Sequence, residues 1–164
     1  MLNRRRFIGV VGLGGVAVAL GGLRFLEANS PLVKELDLKH ISKRHATLMA
    51  SLFKSVLALE TDQQIQTMIL RADTILSKFD RQSRFELMGG LEILEQSPLW
   101  QIGSITRFSK LDPSNQILVL KKWSSGIKAG RALSQGLKEF SVFVFYSQDS
   151  SWQEIGYEGP LVRR

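Results

Sequence analysis

From His40 to Tyr146 apolar residues recur at three- and four-residue intervals, one segment after another, a spacing that favours helices with one buried face. Between His40 and Leu59 the rows Leu48/Leu52/Val56 and Met49/Phe53/Leu57 form a wide apolar stripe. A second helix is predicted to start at Thr61, whose hydroxyl can cap the first turn while Gln64 reaches back, as in a capping box. Its apolar positions are Ile65, Met68, Ile69, Ala72, Ile75, Leu76 and Phe79. A third helix, from about Asp80 to Glu95, is expected to turn Phe85, Met88, Leu91 and Leu94 inward, with a kink or close packing at Gly89-Gly90. The stretch "QSPLWQIGSITRFSKL" reads as an irregular connection. Asp112-Pro113 then supplies an N-cap and a first helical residue, Leu120, Trp123 and Ile127 are the expected buried side, and Ser125-Gly126 ends or bends the helix.

The last long segment, roughly Ala129 to Tyr146, carries Leu133, Leu137, Phe140 and Val144 on one face. Its end, "FSVFVFYS", alternates Phe and Val as a strand does, but no partner strand is foreseen elsewhere. It is therefore expected to be a helix buried nearly all round. The predicted fold is all-α: a bundle of about five helices, preceded by an N-terminal signal or anchor helix and followed by an irregular tail with Trp and Tyr. Residues 1–28 form the signal or anchor, and residues 29–164 are one domain, long enough to bury a core.

The N-terminus, "NRRRFIGVVGLGGVAVALGGLRF", has the R-R-x-F-[LI] order of a twin-arginine export signal, with Arg4, Arg5 and Phe7 in the motif positions. The apolar run from Phe7 to Leu23 holds six glycines, each costing roughly 1 kcal/mol of helix stability, and is weak for a spanning helix. A weakly apolar run behind paired arginines suits the route that exports folded proteins. Gly12-Leu13-Gly14-Gly15-Val16-Ala17 also fits a dinucleotide fingerprint. That pattern has meaning only within a β-α-β unit, and no second strand with a terminal acid follows. Leu26-Glu27-Ala28 is a poor cleavage site, which leaves both removal and retention as a membrane anchor open.

Composition narrows the chemistry. Arg4, Arg5, Arg6 and Arg24 against Glu27 supply three of the seven net positive charges, and the remaining bases are scattered. Nucleic-acid binding needs a contiguous basic face, so a solvated, mildly basic surface is expected instead. The chain has no cysteine, which excludes disulfides, thiolate metal sites, covalent haem and a thiol nucleophile. Ser51-x-x-Lys54 and Ser125-x-x-Lys128 match a Ser/Lys catalytic pair, but neither has the accompanying S-D-N or K-T-G motif. His40 and His45 are five apart, on different sides of a helix, and are expected at the surface or at a helix start. Glu92 and Glu95 are expected to be solvated. Gly126-x-x-x-Gly130 reads as a bend with tight packing rather than a membrane contact, given Lys128. No catalytic, cofactor or metal residues are assigned.

The tail "SSWQEIGYEGPLV" mixes turn-formers with Trp152, Ile155 and Tyr157, and either folds back on its own bundle or lies on another protein. Here the chain resembles the C-terminal half of the gluconate 2-dehydrogenase subunit 3 family. The resemblance runs from Lys121 to Pro160: Trp123, Arg131, an aromatic helix ending in Phe145-Tyr146, Trp152, Ile155-Gly156-Tyr157 and Gly159-Pro160. With the twin-arginine tag it covers both ends of the chain, while about Thr47 to Gln101 matches only in helical character.

That resemblance implies a non-catalytic small subunit of an oxidoreductase complex, with no cofactor of its own. Its partner would be a large FAD-containing dehydrogenase of sugars, sugar acids or alcohols, with a cytochrome c subunit as a further candidate. The tag would take the folded, flavin-loaded partner through the twin-arginine translocase to the periplasm or the periplasmic face of the inner membrane. The partner surface is then expected on the C-terminal helix and tail, at Trp123, Arg131, Tyr146, Trp152, Tyr157 and Pro160. The competing reading is a free-standing, membrane-tethered periplasmic protein or hydrolase with a role of its own.

Overall fold

In the computed structural model, residues 30–147 are described, and among them every regular element is helical. A single turn, α1 (Pro31–Lys34), precedes the long helices α2 (Lys43–Leu57), α3 (Asp62–Leu76) and α4 (Arg81–Gln96). A second short helix, α5 (Pro98–Gln101), and a 3-10 turn (Phe108–Lys110) lead to α6 (Pro113–Ser125) and α7 (Lys128–Tyr146). The five long helices fall where the apolar period places them. The signal segment and the Trp/Tyr tail lie outside the described residues.

The helix starts follow local chemistry. Thr61 and Gln64 form the reciprocal capping box: the Gln64 N–H donates to the Thr61 hydroxyl and the Thr61 N–H to the Gln64 side chain. Asp80 caps α4 through the Ser83 N–H, and Asp112 caps α6 through the Asn115 N–H with Pro113 at the first helical position. Each such cap is worth about 1 kcal/mol.

α7 packs against α2, α3, α4 and α6. Its Leu133, Leu137, Phe140 and Val144 are buried, as the spacing predicts. The Phe140 ring lies 6.4 Å from that of Phe53 on α2 and 6.3 Å, edge-on, from that of Phe79. Two glycines allow close approach. A Cβ on Gly90 would lie 2.7 Å from Leu133 Cδ1, and one on Gly130 would lie 2.7 Å from Trp123 Cε3. Gly130 thus lets the Trp123 indole seat at the α6–α7 corner, where α6 ends at Gly126.

Three expectations are corrected. Phe85 points outward, 68% exposed, because the buried side of α4 is centred on Leu87, Leu91 and Leu94, and at ~100° per residue Phe85 lies opposite Leu87. Ile127 is 79% exposed because α6 stops before it and Ile127 takes the extended N-cap position of α7. The "FSVFVFYS" end of α7 is helical, but only one side of it is buried. The irregular connection, in turn, is anchored in the core by Phe108.

Candidate partner-binding surface

Along α7 the side away from the core changes character. Gln135 and Glu139 bond to each other early on that side, and Val142, Phe143 and Tyr146 succeed them over the last two turns, each at least two-fifths exposed. These three lie roughly opposite Leu137, Ser141 and Val144 at ~100° per residue. The Tyr146 ring stands edge-on to Phe145 with centroids 5.2 Å apart.

Beside this end of α7 runs α3. Its Leu70 is also exposed, and the two helices frame an open groove of about 770 Å3. Leu70, Arg71 and Ile75 from α3, Lys78 and Phe79 from the turn beyond, and Phe143 from α7 with Ser147 just past its end line it. Among the described residues no carboxylate lines the groove, and Arg71 and Lys78 give its described walls a positive character. The Arg71 guanidinium donates to the Ser147 carbonyl. A cation there suits the negative end of a helix dipole and ties the α7 terminus to α3.

The residues singled out in the sequence separate into distinct places. Tyr146 lies on the exposed apolar end of α7. Trp123 is buried in the core at the α6–α7 corner, and its Nε1–H finds no acceptor among the described residues. Arg131 is exposed at the same corner, where its Nη1 donates to the Gly126 carbonyl at 3.1 Å. Arg131 and Tyr146 are about 22 Å apart along the helix axis at 1.5 Å per residue, so they do not share one patch. Arg4, Arg5, Phe7, Trp152, Tyr157 and Pro160 lie outside the described residues.

The polar candidates have structural engagements. Ser51 Oγ donates to the Thr47 carbonyl at 3.3 Å and Ser125 Oγ to the Lys121 carbonyl at 3.0 Å, the usual back-bond of a helical serine. Glu92 is not simply solvated: it accepts from Arg44 Nε at 2.8 Å and stands 3.3 Å from His45 Nε2, joining α4 to α2. Burial pushes its carboxyl up, but the bonds from His45 and Arg44 outweigh this and hold it below its ordinary value. On its other nitrogen His45 meets Ser42 Oγ at 2.9 Å, and that hydroxyl also caps α2.

Glu95 is buried, which pushes its carboxyl up against the opposing bonds from the Ser109 N–H and hydroxyl. His40 is exposed, and its backbone N–H, with those of Lys39 and Ile41, donates to the buried Asp73 carboxylate at 2.8 to 3.0 Å. Among the described residues no cluster of three metal-ligating side chains occurs, and no helix is long and apolar enough to cross a membrane.

Sequence reasoning missed the groove, because it joins residues about 70 positions apart. One local signal was available: the succession of Val142, Phe143 and Tyr146 after Gln135 and Glu139 on one side of α7. No family model matches this chain, and neither a curated protein nor a solved structure does.

Proposed function

We propose that this chain is a non-catalytic small subunit that binds a large flavin-dependent dehydrogenase of sugars, sugar acids or alcohols. It supports that partner's maturation and its export in folded form through the twin-arginine signal at Arg4, Arg5 and Phe7. The FAD belongs to the partner, and the complex works in the periplasm or on the periplasmic face of the inner membrane.

The observation that carries this reading is the exposed apolar end of α7, Val142, Phe143 and Tyr146, beside the Leu70 groove. It falls inside Lys121–Pro160, the stretch that resembles the dehydrogenase small subunits. Exposed aromatic residues grouped at one end of a bundle suit a protein interface better than bulk solvent. The twin-arginine signal has a reason under this reading, since a partner that folds around flavin in the cytoplasm must cross the membrane already folded.

The test is an affinity pull-down of the exported protein from its native membranes, with an absorption spectrum and mass spectrometry of what accompanies it. A co-purifying large subunit with flavin absorbance is the expected result. A colourless protein that comes alone would overturn the proposal and favour the free-standing periplasmic role.

A further inference from the structure

We infer that, in the free chain, the groove between α3 and the end of α7 is the seat of the chain's own C-terminal segment, Gln148–Arg164, with Trp152 as the inserted side chain. This goes beyond the accessory-subunit reading, and a partner that binds this end of α7 would have to displace the segment.

Three observations carry the inference. The first is position: Ser147, the last described residue, itself lines the groove, and Arg71 from the opposite wall holds its carbonyl. The segment that follows is therefore covalently tethered at the groove's rim. The second is reach. Trp152 lies five positions after Ser147, at most ~18 Å of extended chain, whereas the α3 wall from Thr67 to Ile75 is only about 12 Å long. Trp152 can thus meet any part of that wall, and a groove of about 770 Å3 is large enough for an indole and a second side chain.

The third observation is complementarity. The groove offers exposed apolar surface at Leu70 and Phe143 with two cations, Arg71 and Lys78, and no lining acid among the described residues. The segment from Gln148 to Glu158 offers the reverse: Trp152, Ile155 and Tyr157 interleaved with Asp149, Glu154 and Glu158, and no base. An indole seated against Phe143 and Leu70 would bring the flanking acids towards Arg71 and Lys78, where steering and pairing favour this segment over a neutral or basic one.

The experiment uses the full chain with its three tryptophans replaced biosynthetically by 5-fluorotryptophan, observed by fluorine NMR and assigned with Trp152→Phe. The readout is the solvent isotope shift between water and heavy water, which is full for an exposed indole and small for a buried one. Trp152 is expected to show a small shift in the parent chain and the full shift in Phe143→Glu, and again in Leu70→Asp. The buried Trp123 serves as the internal check that each variant remains folded. Arg71→Glu should move Trp152 in the same direction. A full isotope shift for Trp152 in the parent chain would overturn the inference, as would a small one that persists in both folded groove variants. Protection that disappears on dilution would assign the groove to a second copy instead, and would also overturn it.

Discussion

Replacing Gly130 by alanine should destabilise the bundle even though alanine is the better helix former. A Cβ at this position would sit 2.7 Å from Trp123 Cε3 and 3.1 Å from Cζ3, against an ordinary contact of ~3.4–4 Å. The atoms it meets belong to a rigid ring in the core, not to the end of a flexible side chain. The indole must therefore move by several tenths of an ångström, and α6 or α7 with it. Overpacking of this kind costs about 1–3 kcal/mol, and the helix propensity gained over glycine returns roughly 1 kcal/mol. A net loss of up to about 2 kcal/mol is expected, or a drop in Tm of up to roughly 8 °C for a domain of this size.

Gly90→Ala is the matched control. Its Cβ would meet Leu133 Cδ1 at the same 2.7 Å, but that atom is the tip of a leucine and can swing aside. Its net effect should stay within about 1 kcal/mol of zero, since the propensity gain offsets a smaller clash. Urea unfolding followed by far-UV circular dichroism measures both variants. A Gly130→Ala protein as stable as the parent, or more so, would refute the seating of Trp123 on Gly130.

Two further perturbations probe the long-range polar ties. Asp73→Ala removes the acceptor for three backbone N–H groups, of which only that of Ile41 is buried, so a loss of about 2–4 kcal/mol in urea unfolding is expected. A loss below ~0.5 kcal/mol would mean that water replaces the carboxylate at no cost. Glu92→Gln should cost about 1–2 kcal/mol at neutral pH, since Arg44 loses its charged partner. Because the folded state holds Glu92 below its ordinary value of 4.5, its contribution is present above that pH and lost as pH falls through the folded value. The parent and the variant should therefore converge on acidification. Glu95, pushed up by burial, acts in the opposite sense, and Glu95→Gln should remove a stability that grows towards acid pH.

What was legible in the sequence was local. The capping pairs Thr61/Gln64 and Asp112/Pro113 and the three- and four-residue rows lie within one or two turns, and the structure reproduces them. What was not legible depends on how helices end and on distant partners. Phe85 kept the period but not the phase, since the buried side of α4 is centred on Leu87, Leu91 and Leu94, with Gly90 against α7. Ile127 continued the α6 row past the point where α6 ends. Asp73 and Glu92 look like ordinary helical acids until loops and helices 32 to 48 positions away bring their donors. The groove was hidden for the same reason. The proposed function rests on the exposed end of α7 together with the resemblance at both ends of the chain.

The most direct test of that function follows the partner, not this chain. Arg4 and Arg5 are both replaced by lysine, and the proposed flavin-bearing large subunit, identified by the pull-down, is then located by fractionation and by its dehydrogenase activity. A large subunit that accumulates in the cytoplasm, folded and flavin-loaded, is the predicted result. A large subunit that still reaches the periplasmic side in full would contradict the claim that this chain carries it there.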